Sequence, residues 1–264
     1  TTESITGMIQ KRTGWKPGED FHAAHCPERV LPGRILKELV DNDRIIGGIN
    51  KTSAELTRDL YRTFVTGNIY LTDCKTAEMS KLVENASRDV NIAFANELSL
   101  ICDRLGISVW DVIELSNKHP RVKILQPGPG VGGHCIAVDP WFIVDAAPEE
   151  SRLIRMAREV NDSKPHAVVD KIKKRAEKFK SPVIGCLGLA YKNDVDDLRE
   201  SPALDITREL INQKVGTVLA CEPYVKEFTE FPLFPLDKVL AESDIIVLLV
   251  NHRQFYDIDR ELLK

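Results

Sequence analysis

Residues 182–189 read Pro-Val-Ile-Gly-Cys-Leu-Gly-Leu, an apolar run without a charged side chain. Strands that are buried on both faces of a parallel sheet have this composition. Two further apolar runs, at 215–221 and 244–250, follow with room for one helix before each of them. The carboxy-terminal part of the chain is therefore predicted to alternate as βαβαβ around a parallel sheet.

The segments around these strands carry helix signals. Ser201 followed by Pro202 is typical of a helix N-cap and first helical residue, and predicts a helix that runs to Gln213. Further helices are predicted at 164–179 and 236–242.

A polar loop, 191–199, follows the first strand. Ligands of open parallel sheets bind at the carboxyl ends of the strands. We therefore expect Lys192 and Arg199 to meet phosphate there, because both side chains are common phosphate partners. The alternative is that they are ordinary loop charges.

The amino-terminal part of the chain also alternates. Its first residues read as the start of a helix, a second helix is predicted at 53–65, and short strands are predicted at 20–27, 44–49 and 68–71. Such alternation indicates a layered α/β structure.

One long helix is predicted at about 76–105, because apolar residues recur at helical spacing with no Gly or Pro before Gly106. Helices of about eight turns commonly join domains or subunits. Lys81, Asn85 and Arg88 form a polar stripe along it. This stripe is either an ordinary solvated face or part of a site.

The stretch 128–135 reads Gly-Pro-Gly-Val-Gly-Gly-His-Cys, and Asp139 follows four residues later. Glycines let the backbone approach a ligand closely, and a thiol presented there can act as a nucleophile. Cys135 is therefore a candidate for covalent catalysis. The alternative is a cysteine buried as a small apolar side chain.

The same glycines match the dinucleotide pattern G-x-G-x-x-G by letter. That fingerprint needs a strand before it and a helix directly after it. Pro127 and Pro129 interrupt the approach, and Pro140 follows closely. This loop is therefore not predicted to hold a dinucleotide pyrophosphate.

The composition excludes several classes of protein. The chain has 264 residues, 43% hydrophobic and 29% charged, with a net charge of −4, which gives no electrostatic reason to expect nucleic acid or an anionic membrane as a partner. The six cysteines contain no CxxC pair, so neither a metal site nor a disulfide framework is expected. A reducing, cytoplasmic setting is predicted.

Four groups of residues occur in order along the chain. They are Pro-Glu-Arg-Val-Leu-Pro-Gly at 27–33; Lys81 with Asn85 and Arg88; Gly132-Gly-His-Cys135 with Asp139; and Gly188-Leu-Ala-Tyr-Lys192 followed by Asp197-Leu-Arg-Glu-Ser-Pro202. Together they resemble the UDP-glucose/GDP-mannose dehydrogenase family over essentially the whole chain.

The resemblance implies a fold and a division into domains. The fold is α/β, with a Rossmann-like carboxy-terminal domain joined by a long central helix to the remnant of an amino-terminal Rossmann domain. Residues 1–73 would be the end of the NAD-binding domain, 74–162 the central helical dimerisation and catalytic domain, and 163–264 the UDP-binding domain.

The resemblance also implies a chemistry: NAD-dependent four-electron oxidation of a sugar's primary alcohol to a carboxylate. Cys135 would attack the aldehyde to form a thiohemiacetal, which is oxidised to a thioester and then hydrolysed. Lys81 would stabilise the oxyanion or exchange its proton, Asn85 would hydrogen-bond to it, and Asp139 would help activate water. Glu28 resembles the family's acid near the reacting carbon.

Substrate contacts carry over from the family in the same way. Residues that resemble its sugar, phosphate and UDP contacts are Arg29, Val30, Lys81, Asn85, Arg88, His119, Arg121, Gly132, Tyr191 and Lys192. Arg199 resembles the residue that reaches NAD. In this family an arginine like Arg121 can come from the neighbouring subunit, so a homodimer or higher homo-oligomer is expected.

Within the family, the 27–33 segment and a histidine directly before Cys135 resemble the members that act on UDP-N-acetyl-D-mannosamine. UDP-glucose, GDP-mannose and other UDP-N-acetylamino sugars remain alternative substrates. Because the chain resembles the family only from near the end of its first domain to Lys264, we expect little or no dehydrogenase activity from this chain alone. A non-catalytic module for UDP-sugar binding or dimerisation is a second interpretation.

Overall fold

A computed structural model describes residues 1–30 and 34–259. Positions 31–33 of the Pro-Glu-Arg-Val-Leu-Pro-Gly segment, and the predicted domain end at Lys264, lie outside the described residues. The chain divides into two compact units, Thr1–Glu84 and Asn85–Lys264.

The first unit is built around a small mixed sheet. Its middle strand pairs antiparallel with one neighbour and parallel with the other. In chain order the elements are α1 (Thr2–Thr13), β1 (Ala24–His25), α2 (Ile35–Asp41), β2 (Arg44–Gly48), α3 (Lys51–Tyr61) and β3 (Ile69–Asp73).

Helix α3 packs closely on strand β2 because Gly48 has no side chain. A Cβ at Gly48 would lie 2.5 Å from the backbone nitrogen of Ala54. Asn50 caps the helix, since its side chain accepts a hydrogen bond from the Ser53 N–H at 2.8 Å. The close packing explains why a short glycine-containing strand is followed directly by a helix.

The second unit contains a three-stranded parallel sheet. Helix α4 (Cys74–Leu105) begins in the first unit and ends in the second. The later elements are α5 (Val109–Ser116), α6 (Asp139–Ala146), α7 (Arg152–Ala176), β4 (Val183–Leu187), α8 (Pro202–Asn212), β5 (Thr217–Cys221), α9 (Leu236–Glu242), β6 (Ile245–Leu248) and a short 3₁₀ turn (Arg253–Phe255).

The strand order β5-β4-β6 places the 182–189 run at the centre of this sheet. Ile184 and Cys186 are completely buried, and Ile206 of α8 and Ile172 of α7 pack in the same core cluster. The predicted βαβαβ order and parallel sheet are confirmed, as is the N-cap: the Ser201 hydroxyl accepts a hydrogen bond from the Leu204 N–H.

The long helix is also confirmed, and it ends where the sequence indicated. Gly106 adopts a left-handed φ of 69°, which a residue with a side chain rarely adopts. The glycine loop is not flanked by a strand and a helix as a dinucleotide fingerprint would be, since residues 122–135 are irregular.

Two helices were predicted with wrong ends, and two were missed. Helix α7 begins at Arg152 rather than at 164. Pro165, which suggested the start of a helix, lies inside it. Helix α3 ends at Tyr61, four residues before the predicted end. The short helices α2 and α6 were not predicted, since each spans only two turns.

Candidate functional site

The loop between β4 and α8, residues 188–201, lies at the carboxyl end of the central strand. One hydrogen bond within the loop runs from the Tyr191 N–H to the Asp197 carbonyl at 3.1 Å. The Ser201 hydroxyl donates to the Leu189 carbonyl at 2.6 Å, which joins the two ends of the loop. Tyr191 is half-buried, and Lys192 and Arg199 are exposed.

The glycine loop packs directly on this segment. A Cβ at Gly132 would overlap the Glu200 carbonyl oxygen and approach Pro202 Cδ to 2.7 Å. Gly133 has a φ of 84°, donates its N–H to the Glu200 carbonyl at 3.3 Å, and lies against the ring of Tyr191. Only glycines allow this approach, so the loop that carries Cys135 and the loop that follows β4 form one continuous surface.

Cys135 is exposed on this surface, so the interpretation of a buried, apolar cysteine is wrong. Its carbonyl accepts hydrogen bonds from the N–H groups of Val138 at 3.1 Å and Asp139 at 2.8 Å, which turn the chain into α6. Asp139 Oδ2 accepts a hydrogen bond from Asn85 Nδ2 at 2.5 Å. Three of the predicted catalytic residues therefore belong to one region of the second unit.

Arg199 makes a two-pronged contact with a carboxylate two residues before it. Its Nε and Nη2 donate to the two oxygens of Asp197 at 2.9 and 2.7 Å. These hydrogen bonds lower the pKa of Asp197 to about 2, and the charge of His134 acts in the same direction. The Arg199 side chain is 69% exposed, which leaves it accessible to an anionic ligand.

The predicted contact residues between α5 and the glycine loop lie on an exposed turn. His119 Nδ1 accepts the Arg121 N–H at 3.3 Å. The amide of Asn117 closes this turn by pairing with the backbone N–H and carbonyl of Ile124, at 2.7 and 3.0 Å. Arg88 is exposed on α4.

The remaining predicted residues lie in the first unit. Glu28 Oε1 accepts hydrogen bonds from Arg44 Nη1 and from the Arg29 N–H, each at 2.8 Å. Arg29 Nη1 donates to Glu84 at 2.8 Å. Val30 and Lys81 are half-buried, and Lys81 precedes Asn85 by four residues on α4. The catalytic and binding roles of these residues stay predictions.

A buried polar network, which sequence reasoning missed, supports the start of the glycine loop. Asn96 Oδ1 accepts the Gly128 N–H at 2.9 Å, and Asn96 Nδ2 donates to Asn161 Oδ1 at 2.9 Å. Asn161 Nδ2 and Arg158 Nη1 both donate to Asp89 Oδ1, at 2.8 and 2.6 Å. Helices α4 and α7 are thereby tied to the loop that presents Cys135.

A second missed group lies where the strands of the parallel sheet end. It consists of Asp194, Glu222, Tyr224, His252 and Arg253, which hydrogen-bond to one another or to the adjacent backbone. The rule that indicated the 191–199 loop could have found Glu222, because this residue follows β5 directly. The histidine carried no comparable signal.

The described residues contain no group of three or more His, Cys, Asp or Glu side chains that could hold a metal ion. Among them, no helix is long and apolar enough to cross a membrane. All six cysteines are unpaired.

The first unit fits a dinucleotide at one edge. Parallel strands β2 and β3 end at Gly48 and Asp73, and helices α3 and α4 begin within three residues of those ends. Carboxyl ends of parallel strands beside helix N-termini are where such sheets bind dinucleotide phosphates.

The chain belongs to the UDP-glucose/GDP-mannose dehydrogenase family. Three models of this family match: its NAD-binding domain at 1–65, its central domain at 75–163 and its UDP-binding domain at 185–264. The expectation of NAD as the family's cofactor is confirmed by the first of these matches. The domain boundaries at 73/74 and 162/163 stay predictions.

Two of the similar proteins are named for N-acetylamino sugars or their acids. A UDP-N-acetyl-D-mannosamine dehydrogenase from Methanocaldococcus jannaschii is 55% identical over 100% of this chain and 60% of its own length. An NDP-N-acetyl-D-galactosaminuronic acid dehydrogenase from Ralstonia nicotianae is 58% identical over 93% of this chain and 59% of its own length. The chain therefore spans about 60% of the length of these relatives.

Solved structures agree with this assignment. A UDP-N-acetyl-mannosamine dehydrogenase from S. aureus superposes with a TM-score of 0.88 at 46% identity, covering 100% of this chain and 63% of that one. An NDP-N-acetyl-D-galactosaminuronic acid dehydrogenase from Methanosarcina mazei gives a TM-score of 0.87 at 32% identity, covering 99% of this chain and 60% of that one. The α/β, Rossmann-type fold prediction is confirmed.

Proposed function

We propose that this chain carries the sugar-nucleotide site and the covalent nucleophile of an NAD-dependent dehydrogenase. The reaction is the four-electron oxidation of UDP-N-acetyl-D-mannosamine to UDP-N-acetyl-D-mannosaminuronate, a precursor for surface polysaccharides. The observation that supports it most directly is the packing of Gly132 and Gly133 on Tyr191 and Glu200. This packing places an exposed cysteine beside the loop assigned to UDP.

The chemistry proceeds through Cys135. When bound, NAD supplies the hydride acceptor, and two NAD are consumed for each sugar. Oxidation of the alcohol releases one hydride and one proton and gives an aldehyde. The thiol of Cys135 adds to the aldehyde carbon, and loss of a second hydride from that thiohemiacetal gives a thioester. Water then cleaves the carbon–sulfur bond, which releases the carboxylate and returns the free thiol.

Asn85 and Asp139 are proposed to act on the oxygen and the water of these steps. Their 2.5 Å hydrogen bond fixes the amide so that its nitrogen faces the carboxylate. Asp139 accepts a proton from the attacking water, and Lys81 stabilises the oxyanion or exchanges its proton. Glu28 is proposed as the acid near the reacting carbon, and its ion pair with Arg44 holds that carboxylate in place.

Three observations favour UDP-N-acetyl-D-mannosamine as the substrate. They are residues 27–30 of the Pro-Glu-Arg-Val-Leu-Pro-Gly segment, His134, and the names of the M. jannaschii and S. aureus relatives. The R. nicotianae relative supports another N-acetylamino sugar as the closest competitor. UDP-glucose and GDP-mannose are the remaining alternatives.

The protein is proposed to act as a homodimer or higher homo-oligomer, with Arg121 contributed to the neighbouring subunit's site. The exposure of His119 and Arg121 is consistent with this role. A second candidate function is UDP-sugar binding without oxidation, which the match of the UDP-binding domain model at 185–264 supports.

Calorimetric titration and an assay of NADH formation separate these possibilities. The wild-type chain and Cys135→Ser are titrated with UDP-N-acetyl-D-mannosamine, UDP-N-acetyl-D-galactosamine, UDP-glucose and GDP-mannose, and each mixture is then given NAD. Cys102→Ala, which alters a buried cysteine of α4, is the matched control.

We expect both cysteine variants to bind UDP-N-acetyl-D-mannosamine more tightly than the other sugars. NADH formation that Cys135→Ser abolishes and Cys102→Ala retains supports oxidation through Cys135. Binding without NADH formation is the result that we expect of this chain alone, and it leaves UDP-sugar binding as the chain's own function. A wild-type chain that binds none of the four sugars contradicts both functions.

A further inference from the structure

The carboxylate of Glu222 lies beneath the 188–201 loop at the carboxyl end of β5, and the residue is only 5% exposed. Its Oε2 accepts the N–H groups of Leu189 at 2.7 Å and Ala190 at 3.0 Å. Its Oε1 accepts the Tyr224 N–H at 3.0 Å. A carboxylate only accepts hydrogen bonds, so these backbone donors are matched partners.

Backbone N–H groups after the first strand of such a sheet commonly bind phosphate. In this protein an internal carboxylate takes the N–H groups of Leu189 and Ala190. Nucleotide recognition at this strand end therefore depends on the side chains that the loop presents outward, including Tyr191 and Lys192.

His252 links Glu222 to Asp194 in the middle of the 188–201 loop. The residue is completely buried, and its Nδ1 faces the Asp194 N–H at 2.9 Å. A backbone N–H can only donate, so Nδ1 is the unprotonated nitrogen. Nε2 then carries the ring proton and donates it to Glu222 Oε2 at 3.1 Å. The rings of Tyr224 and Phe255 flank the imidazole and fix its plane.

Asp194 needs this support because its backbone is in a left-handed conformation. Its φ is 60°, which non-glycine residues adopt infrequently and at a cost. Its carboxylate also accepts the Tyr224 hydroxyl at 3.0 Å and Arg253 Nε at 2.9 Å. The loop is therefore fixed at Leu189–Ala190 and at Asp194, on both sides of Tyr191 and Lys192.

We propose that Glu222 and His252 are positioning residues for nucleotide binding, which hold Tyr191 and Lys192 in the orientation that a uridine diphosphate requires. Neither side chain contacts the ligand. The proposal rests on the proposed function, because that function assigns Tyr191 and Lys192 to UDP.

Two substitutions of one histidine separate its two hydrogen bonds. His252→Asn keeps an acceptor near the position of Nδ1 and loses the bond to Glu222. His252→Gln keeps a donor near the position of Nε2 and loses the acceptor for Asp194. His166→Gln is the matched control, because His166 forms a His–Glu pair with Glu209 on the surface. Glu222→Gln tests the same network from its other partner.

The variants are compared by calorimetric titration with UDP and by hydrogen exchange of the amides of residues 189–199. We expect His252→Gln and Glu222→Gln to bind UDP about tenfold more weakly, as for the loss of one buried hydrogen bond. The Asp194 amide should exchange faster in His252→Gln. His252→Asn should stay within about threefold of wild type, and His166→Gln should equal it.

The proposal would be overturned if His252→Gln and Glu222→Gln both bound UDP as tightly as the wild type and showed the same amide hydrogen exchange in residues 189–199. Equal weakening by His252→Asn and His252→Gln, with unchanged exchange at Asp194, would also overturn it. If the wild-type chain does not bind UDP, the proposed function fails. The exchange comparison then still decides whether the two residues position the loop.

Discussion

Among single residues, the candidate site depends on polar side chains that are oriented by hydrogen bonds to neighbouring residues. Asn85 and Asp139 were both predicted from the sequence as catalytic residues, and the structure joins them by a hydrogen bond. The sequence could not pair them, because they are 54 residues apart. Glu222 and His252 were missed because their role exists only once three strand ends meet.

The pKa of Asp197 tests the ion pair between this carboxylate and the side chain of Arg199. Hydrogen bonds from Arg199 lower the pKa of Asp197 to about 2, below the usual value of about 3.9. Because the folded-state pKa is lowered, the ionised carboxylate stabilises the fold above about pH 3.9, and that contribution is lost as the pH falls through about 2.

In Arg199→Met we expect the pKa of Asp197 to rise toward about 3.9, measured by NMR titration of the side-chain carboxyl. Arg208→Met, which removes another exposed ion pair of the second unit, should leave it unchanged. A pKa that stays at about 2 in Arg199→Met would show that the side chain of Arg199 is not its cause.

At the scale of elements, the strands of the parallel sheet and the longest helix could be predicted because their signals are local. The strand predicted at 20–27 was wrong in extent, since β1 spans only Ala24–His25. Apolar runs mark β4, β5 and β6, and helical periodicity without Gly or Pro marks α4. Helix α7 could not be bounded in this way. Its first three turns bury the polar residues Arg158 and Asn161, and Pro165 has the sequence appearance of a helix start.

A buried ion pair joins α4 and α7. Asp89 is completely buried, Arg158 is 1% exposed, and their side chains are 2.6 Å apart. Burial raises the pKa of Asp89, and the charge of Arg158 acts against this. The pair therefore has to stay intact for both helices to remain in contact.

We expect Arg158→Met to lower the free energy of unfolding by about 3–5 kcal/mol, because it leaves a buried carboxylate without its counter-charge. Urea denaturation measures this change. Lys171→Met, which breaks the exposed Lys171–Asp103 pair, should cost less than about 1 kcal/mol. Equal, small changes in both variants would contradict the structural role of the buried pair.

At the scale of the whole molecule, family membership and the α/β fold could be predicted because several motifs occur in one order. The division of the chain into units ending and beginning at Glu84 and Asn85 could not, because this boundary falls inside the continuous helix α4. The packing of the glycine loop on the 188–201 loop could not be predicted from the sequence either. Glycines there suggested a close approach, but not to which partner.

We propose that these two loops together form a UDP-sugar site. The most direct test is calorimetric titration of UDP-N-acetyl-D-mannosamine into the wild-type chain, Gly132→Ala and Gly128→Ala. A Cβ at Gly132 overlaps the Glu200 carbonyl, whereas the nearest atom to a Cβ at Gly128 is 3.9 Å away. We predict that Gly128→Ala binds like wild type and that Gly132→Ala binds at least about tenfold more weakly. Equal binding by all three proteins, or no binding by the wild type, would contradict the claim.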